Sequence, residues 1–306
     1  MILSTAIRVS EAVREAVADG TPLVALESTI FTHGLPRPIN LEVALEAEEL
    51  VRSHGAVPAT IGVLDGVPTI GLTRDEIQRL SAIDEVVKVS QRDLSIAVVK
   101  GLSGGTTVAA TAFLAHSARI RVFATGGLGG VHRGAAESFD ESADLVTLAE
   151  IPVLVVSAGV KSILDIPATL ERLETLNITV AGYRTTRYPG FYVADSGFTV
   201  EHSVSSPEEA ASILRTQDEL GLCSAVLIAN PIDEASQLAP ETHSRVLAAA
   251  LQAAESAGVA GNATTPFLLE YMQRATEGES LRVNVDVYRG NVVLGAEIAT
   301  ALSAPR

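Results

Sequence analysis

The 306-residue sequence carries 22 Lys and Arg against 37 Asp and Glu, which gives a formal net charge of −15. Hydrophobic residues make up 47% and charged residues 19%, so the chain can bury a large core and is neither disordered nor fibrous. The acidic balance argues against a general binder of nucleic acid or of anionic membranes, because such binding needs broad positive charge. One cysteine, Cys223, excludes a disulfide framework and fits a reducing compartment.

We expect a cytoplasmic protein. The first eight residues lack the pattern of a signal peptide. Apolar runs such as residues 151–160 are too short to cross a bilayer, which needs roughly 20 residues.

Short aliphatic runs alternate with longer helical patterns, which is typical of βαβ units. The predicted strands are 22–26, 59–64, 96–99, 122–124, 153–156, 180–183 and 225–228. The predicted helices are 41–53, 107–118, 162–175, 207–220 and 239–257. No linker or internal repeat divides the chain, so we expect one domain over residues 1–306. Its expected fold is an α/β/α layered, doubly wound fold with a mostly parallel central sheet.

Ligands of parallel sheets collect at the carboxyl ends of the strands, so polar residues directly after apolar runs are candidates for a site. Glu27 follows the predicted strand 22–26. A partly buried carboxyl group at that place can act as a general acid or base. It can equally cap a helix or anchor the strand end, and position alone does not separate these interpretations.

Two glycine-rich segments, 104–107 and 125–133, follow the predicted strands 96–99 and 122–124. Glycine permits close approach of the backbone, and amides at a helix N-terminus attract phosphate. The second segment lacks both the G-x-G-x-x-G spacing of dinucleotide-binding proteins and the lysine of a P-loop. Tight turning explains either segment alone, but the two together, with Thr125 and His132, favour a phosphate-bearing ligand.

An acidic cluster, Asp140, Glu141 and Asp144, places three carboxylates within five residues. Oxygen ligands of this kind suit a hard divalent ion such as Mg²⁺ or Mn²⁺. The alternative is an exposed acidic turn in which Asp144 caps the following helix.

Lys161 is one of only three lysines, and it lies between the predicted strand 153–156 and the predicted helix 162–175. Desolvation lowers the pKa of an amine, and a neutral amine can add to an aldehyde to form a Schiff base. The alternative is a lysine that pairs with Asp165 or a carbonyl group. The scarcity of lysine favours the catalytic interpretation.

The other two lysines are Lys88 and Lys100. Lys88 interrupts an apolar run, so it can pair with a phosphate or a carboxylate, or protect an edge strand from aggregation. Lys100 is predicted to lie at the surface, and Cys223 to pack inertly in apolar surroundings.

These segments together resemble the pseudouridine-5′-phosphate glycosidase (pseudouridylate synthase) family from about residue 24 to 299. The resemblance rests on Ala-Leu-Glu-Ser-Thr-Ile at 25–30, Val-Ser-Gln-Arg-Asp-Leu at 89–94, both glycine-rich segments, Ser-Ala-Asp-Leu at 142–145, residues 158–164, Tyr-Pro-Gly-Phe-Tyr at 188–192 and Thr-Pro-Phe-Leu-Leu at 265–269. It implies a lyase-type enzyme that interconverts pseudouridine 5′-phosphate and water with uracil and ribose 5-phosphate.

The resemblance also implies roles for residues. Lys161 would be the Schiff-base nucleophile, Glu27 the proton donor and Asp140 the ligand of one Mn²⁺ per subunit, other divalent ions being possible. Substrate contacts would come from Lys88, Val108, Ser142, Ala143, Asp144 and Asn284, to which the glycine loop adds Thr125 and His132. The family is known for homotrimers, so we expect one here.

Three positions depart from the family pattern. Glu141 adds a negative charge beside the metal position, Ser157 stands where Cys is common, and the segment after Asn284 is less apolar than usual. Two other functions compete with the enzyme. A sugar or nucleoside kinase would need a nucleotide-binding signature, which the glycine loops lack, and a sugar-phosphate sensor would not need a desolvated amine.

Overall fold

The computed structural model describes residues 6–259 and 264–304. Its strands are β1 (Arg8–Val9), β2 (Leu23–Leu26), β3 (Val57–Leu64), β4 (Val67–Ile70), β5 (Val87–Val89), β6 (Gly104–Thr106), β7 (Val122–Ala124), β8 (Leu154–Ser157), β9 (Thr179–Tyr183), β10 (His202–Val204) and β11 (Val226–Ala229). Its α-helices are α1 (Glu11–Asp19), α2 (Ile39–Ser53), α3 (Arg74–Ala82), α4 (Leu94–Lys100), α5 (Val108–Ser117), α6 (Ala135–Ser138), α7 (Ala143–Ala149), α8 (Ile166–Thr175), α9 (Pro207–Leu220), α10 (Pro240–Ser256), α11 (Thr264–Ala275) and α12 (Glu279–Ser303).

The strands form one sheet in the order β1-β4-β3-β2-β7-β8-β11-β9-β10, with β6 beside β3 and β5 beside β6. Among the described residues, neighbouring strands are parallel except where β3 meets β4 and β6. From β2 the chain continues to β3 on one side, whereas β7 lies on the other side of β2 and leads on to β8. The strand order therefore reverses between β2 and β7, and ligands of open α/β sheets bind at such a switch point.

Helices cover both faces of the sheet because successive strand residues point in opposite directions. Ala25 and Phe123 belong to one apolar cluster, and their neighbours Val24 and Ala124 belong to the other. Helices α1, α5, α7, α8 and α10 pack against the first face, and α2, α3, α9 and most of α12 against the second. The predicted α/β/α layered fold with a mostly parallel sheet is confirmed, while the single domain stays a prediction.

Polar caps fix where the helices near the switch point begin. The side chains of Thr107, Ser142 and Asp165 accept hydrogen bonds from backbone amides in the first turns of α5, α7 and α8. Such caps satisfy amides that lack a partner within the helix. The starts of α5 and α7 are thereby set beside the loop that follows β7.

The structure corrects several sequence-based predictions. Residues 96–99 belong to α4 and not to a strand: Leu94 and Ala97 are buried on one side, whereas Val99 is 86% exposed. A short apolar run does not distinguish a strand from a helix, which explains the error. The glycine-rich residues 104–106, which were not predicted as a strand, form β6, and α5 begins at Val108, one residue after the predicted helix start.

Two further predictions are wrong. The helix expected from residue 162 begins at Ile166, so Lys161 lies in a turn and not at a helix start. Cys223 is exposed and does not pack in the core. Within residues 6–259 and 264–304, we find no helix with the length and apolar character that crossing a bilayer requires.

Candidate active site

Glu27 lies directly after β2, at the switch point, and is only 5% exposed. Thr29 Oγ1 donates a hydrogen bond to Glu27 Oε2, and Thr125 Oγ1 donates one to Glu27 Oε1. Thr125 follows β7, so hydroxyl groups from two neighbouring strand ends hold the two oxygens of one carboxyl group. A buried carboxyl group in a fixed orientation is suited to proton transfer.

The loop after β7 also contacts Lys161, two residues beyond the threonine that holds Glu27. Lys161 is partly buried, and its Nζ donates a hydrogen bond of 2.9 Å to the Gly127 carbonyl oxygen. The loops after β7 and β8 run side by side, since the Leu128 amide donates to the Gly159 carbonyl oxygen at 3.0 Å and the Lys161 amide to that of Leu128 at 3.2 Å. A Cβ on Gly127 would lie 2.7 Å from the Phe191 ring, so only glycine lets the loop approach so closely.

The sequence left Asp165 or a carbonyl group as structural partners of Lys161, and the structure shows the carbonyl group. Asp165 instead accepts a hydrogen bond of 3.0 Å from the Ala168 amide and caps α8. In the part of the chain that the structure describes, the Lys161 amine donates to this neutral carbonyl group and forms no ion pair with a carboxylate.

Lys88 faces the same space from the edge strand β5. Although part of its side chain is exposed, desolvation and then the positive charge of Lys161 lower the pKa of Lys88, while Asp144 and Glu27 oppose that shift. The pKa of Lys88 therefore responds to Lys161, Asp144 and Glu27, so these three groups lie around Lys88. On the outer side, desolvation and the charge of Lys88 also lower the pKa of His33.

Asp144 clamps two segments of the site together. It is buried, and its Oδ1 accepts from the Ala109 amide and its Oδ2 from the Gly129 amide, both at 2.9 Å. The Asp144 amide in turn donates to Ser142 Oγ at 3.2 Å. A Cβ on Gly129 would lie 2.2 Å from that Oγ, so the approach requires glycine. Buried Val108 begins α5 beside the clamp, and Ala143 is exposed at the start of α7.

The acidic cluster therefore does not hold three equivalent carboxylates. Glu141 forms an ion pair of 2.9 Å with Arg172, and Asp144 is occupied by backbone amides. Asp140 keeps a side chain that is 40% exposed, with the Nδ1 atom of His132 at 4.0 Å. No group of three His, Cys, Asp or Glu side chains able to hold a metal occurs in the described parts of the chain. A single accessible carboxylate fits a hard divalent ion that keeps most of its water ligands.

Asn284 lies in α12 on the far side of the glycine loop, with its Oδ1 atom 3.8 Å from where a Cβ of Gly126 would be. It is buried and lines a cavity of about 250 Å³ together with His33 and Tyr192. His33, which lines this cavity, is also the residue whose pKa is lowered by desolvation and by the charge of Lys88.

Three residues beside the loops after β7 and β8, namely Asn291, Asn230 and Tyr188, received no role in the sequence analysis. Asn291 and Asn230 form buried hydrogen bonds behind the loop after β7, and the Tyr188 hydroxyl accepts a hydrogen bond of 3.1 Å from the Val160 amide. Burial raises the pKa of Tyr188, which keeps the hydroxyl neutral. Asn291, like Asn284, interrupts the mostly apolar pattern of buried positions in α12, and this is the signal by which it could have been found.

A buried acid, two amines and a glycine loop thus lie at the switch point of an α/β fold, as in an enzyme active site. The model of the family described as indigoidine synthase A like protein matches residues 12–301, and the chain belongs to this family. The predicted resemblance to pseudouridine-5′-phosphate glycosidases is confirmed by curated relatives of that name.

The glycosidase of Saccharopolyspora erythraea is 62% identical over 295 residues, which cover 96% of this chain and 97% of the relative. The glycosidase of Frankia alni is 55% identical over 296 residues, which cover 97% of this chain and 82% of the relative.

Solved structures agree with the sequence relatives. The prealnumycin C-glycosynthase AlnA, in complex with ribulose 5-phosphate, superposes with a TM-score of 0.91 at 35% identity over 98% of both chains. An indigoidine synthase A-like protein from Thermotoga maritima superposes with a TM-score of 0.88 at 35% identity over 97% of both chains.

Proposed function

We propose that the protein reversibly cleaves the C–C glycosidic bond of pseudouridine 5′-phosphate, giving uracil and ribose 5-phosphate. The observation that carries this proposal is that one loop holds both groups: the Gly127 carbonyl oxygen accepts a hydrogen bond from the Lys161 amine, and Thr125 donates one to the buried carboxyl group of Glu27. Relatives named for this reaction cover nearly the whole chain. A structural relative that binds a pentose phosphate supports the substrate class.

The reaction needs an amine because the leaving atom is a carbon. Departure of uracil through C5 from an intact ribose ring would leave a poorly stabilised carbanion. Glu27 donates a proton to the ribose ring oxygen, the bond from that oxygen to C1′ breaks, and the nitrogen of Lys161 bonds to C1′. The difficult cleavage is thereby divided into easier steps, which is the advantage of covalent catalysis.

Cleavage then proceeds from this adduct. The bond between C1′ and uracil C5 breaks as C5 receives a proton, and the nitrogen lone pair forms the double bond to C1′. Water adds to the resulting iminium and releases ribose 5-phosphate and the free amine. One water molecule is consumed, so the atoms balance with uracil and ribose 5-phosphate as products.

The remaining predicted residues surround the places where substrate groups would lie. Lys88 supplies positive charge for the 5′-phosphate, beside the α5 N-terminus that begins at Val108. Because Asp144 occupies the Ala109 amide and the Val89 carbonyl oxygen occupies that of Thr107, the phosphate would use the Val108 amide. The cavity beside Asn284 offers an amide side chain to the uracil carbonyl and imide groups.

Asp140 is the residue that would hold a divalent ion, and Mn²⁺ there would supply water ligands that polarise the uracil carbonyl groups. Chelation is expected to suppress turnover and Mn²⁺ to restore it. Asp140→Asn should raise the Mn²⁺ concentration needed for half-maximal activity by about 100-fold, because the site has one protein carboxylate. Glu141→Gln is the matched control, since that carboxylate pairs with Arg172. Full activity of metal-free protein would contradict this role.

Two broader features belong to the same proposal. The family resemblance supports a homotrimer, and phosphorylated substrates, which cross membranes poorly, support a location in the cytoplasm. Neither feature enters the chemistry above.

The direct test is to incubate the purified protein with uracil, ribose 5-phosphate and Mn²⁺, without ATP. We expect pseudouridine 5′-phosphate to form, with the absorbance spectrum and mass of the C-glycoside. A product only when ATP is present would indicate a kinase, and binding without any turnover would indicate a sensor.

A further inference from the structure

Asn291 of α12 lies behind the active-site loop, with 1% of its surface exposed, and every polar group of its amide has a partner. Its Nδ2 donates to the carbonyl oxygens of Thr125 at 2.8 Å and Gly126 at 3.1 Å. Its Oδ1 accepts from Asn230 Nδ2 at 3.0 Å. Because carbonyl groups only accept hydrogen bonds, this environment admits one orientation of the Asn291 amide.

These hydrogen bonds act on the backbone that holds the candidate acid. The hydroxyl of Thr125 donates to Glu27, while the carbonyl of the same residue accepts from Asn291. The Thr125 amide donates to the Val156 carbonyl oxygen at 3.0 Å, so the residue is fixed from β8 on one side and from α12 on the other. Removing the contact from α12 would leave the direction of the hydroxyl less restricted.

A buried amide in an apolar helix costs free energy of folding unless it is fully hydrogen-bonded. Position 291 therefore requires a side chain that can form these hydrogen bonds. On the second face of the sheet, α12 packs against β2, β7 and β8, whose ends carry Glu27, Thr125 and the loop of Lys161. Asn230 follows β11 and holds the oxygen side of the Asn291 amide. The two asparagines therefore join α12 and the end of β11 to the active-site loop.

We propose that Asn291 is a positioning residue for the reaction: through the Thr125–Gly126 backbone it orients the Thr125 hydroxyl on Glu27. This inference rests on the proposed function, because it assigns Glu27 the proton that opens the ribose ring. Asn291 itself lies behind the backbone and need not touch the substrate.

The test compares Asn291→Ala with Asn40→Ala. Asn40 is a matched control: it is also buried, and its Nδ2 also donates to two backbone carbonyl oxygens, those of Phe31 at 2.8 Å and Ser81 at 3.2 Å. Both variants should lower the melting temperature. Only Asn291→Ala should lower kcat, by about 10–100-fold, with KM for pseudouridine 5′-phosphate nearly unchanged, because small displacements of reacting groups have effects of this size.

A double-mutant cycle with Thr125→Val shows whether the effect passes through the hydroxyl. Once the hydroxyl is removed, adding Asn291→Ala should change kcat little further. An unaltered kcat in Asn291→Ala, an equal loss in Asn40→Ala, or effects that multiply in the double variant would each overturn the inference.

One readout does not depend on activity. In protein labelled at threonine methyl groups, the Thr125 resonance is identified by its disappearance in Thr125→Val. It should shift in Asn291→Ala and stay in place in Asn40→Ala, and an unshifted resonance in Asn291→Ala counts against the inference. Failure of the wild-type protein to release uracil would refute the proposed function instead, and the resonance would still report whether Asn291 positions Thr125.

Discussion

Replacing Lys161 by methionine is expected to lower kcat by roughly 10⁴-fold or more, because no other group in the cleft can form the covalent bond to C1′. Lys88, whose pKa the charge of Lys161 lowers, lies in the edge strand β5 and is assigned to the phosphate. Lys161→Arg should lose as much activity as Lys161→Met, since a guanidinium keeps the positive charge but stays protonated and does not add to an aldehyde.

The adduct itself provides the sharper measurement. Borohydride added with ribose 5-phosphate should reduce the iminium to a stable secondary amine, and a peptide map should place the added mass on Lys161. Lys100→Met is the matched control, because Lys100 is the exposed last residue of α4 and should leave both trapping and turnover intact. Wild-type turnover in Lys161→Met, together with a peptide map without added mass, would end the Schiff-base mechanism.

The strand ends of this fold were readable from the sequence, because apolar runs followed at once by polar residues mark the carboxyl edge of a parallel sheet. Glu27 and Lys161 were both located in this way, and in the structure both contact the loop after β7. Their strands lie on either side of β7, whose glycine loop carries the groups that contact both side chains. The glycines predicted that another group approaches the backbone of this loop closely. The structure shows that this group is the Phe191 ring, which leaves no room for a Cβ on Gly127.

What could not be read from the sequence are contacts between segments distant in the chain. Asp144 belonged to an acidic cluster by spacing, yet its partners are the amides of Gly129 and Ala109, which lie 15 and 35 residues away. Asn291 contacts residues more than 160 positions earlier. Backbone amides and carbonyls carry no sequence signature, so hydrogen bonds to them emerge only once the chain has folded.

The helix α4 shows a second limit. Its apolar residues 96–99 read as a strand because four residues are too few to separate the two periodicities. The strand that does lie near this part of the chain, β6, consists of Gly104, Gly105 and Thr106, and its two glycines have little strand preference. Pairing with β3 and β5 decides its conformation.

Glu27→Gln is expected to lower kcat for cleavage of pseudouridine 5′-phosphate by about 10²–10⁴-fold, because the amide keeps the shape of the side chain but has no acidic proton to donate. The hydroxyl groups of Thr29 and Thr125 hold both oxygens of Glu27, so the glutamine should remain in place. Borohydride trapping with ribose 5-phosphate should survive in this variant, since the free sugar opens to its aldehyde in solution without the enzyme. Lost turnover with retained trapping would separate the proton donor from the nucleophile.

Glu48→Gln controls for the burial of a carboxyl group. Like Glu27, Glu48 is 5% exposed, and its oxygens accept hydrogen bonds from Thr60 Oγ1 at 2.8 Å and Arg52 Nη2 at 2.7 Å. Glu48→Gln should lower the melting temperature and leave kcat nearly unchanged. If the two variants lost activity equally, or if Glu27→Gln retained full turnover, Glu27 would be a structural anchor of the strand end, the simpler of the two interpretations that its position after β2 allows.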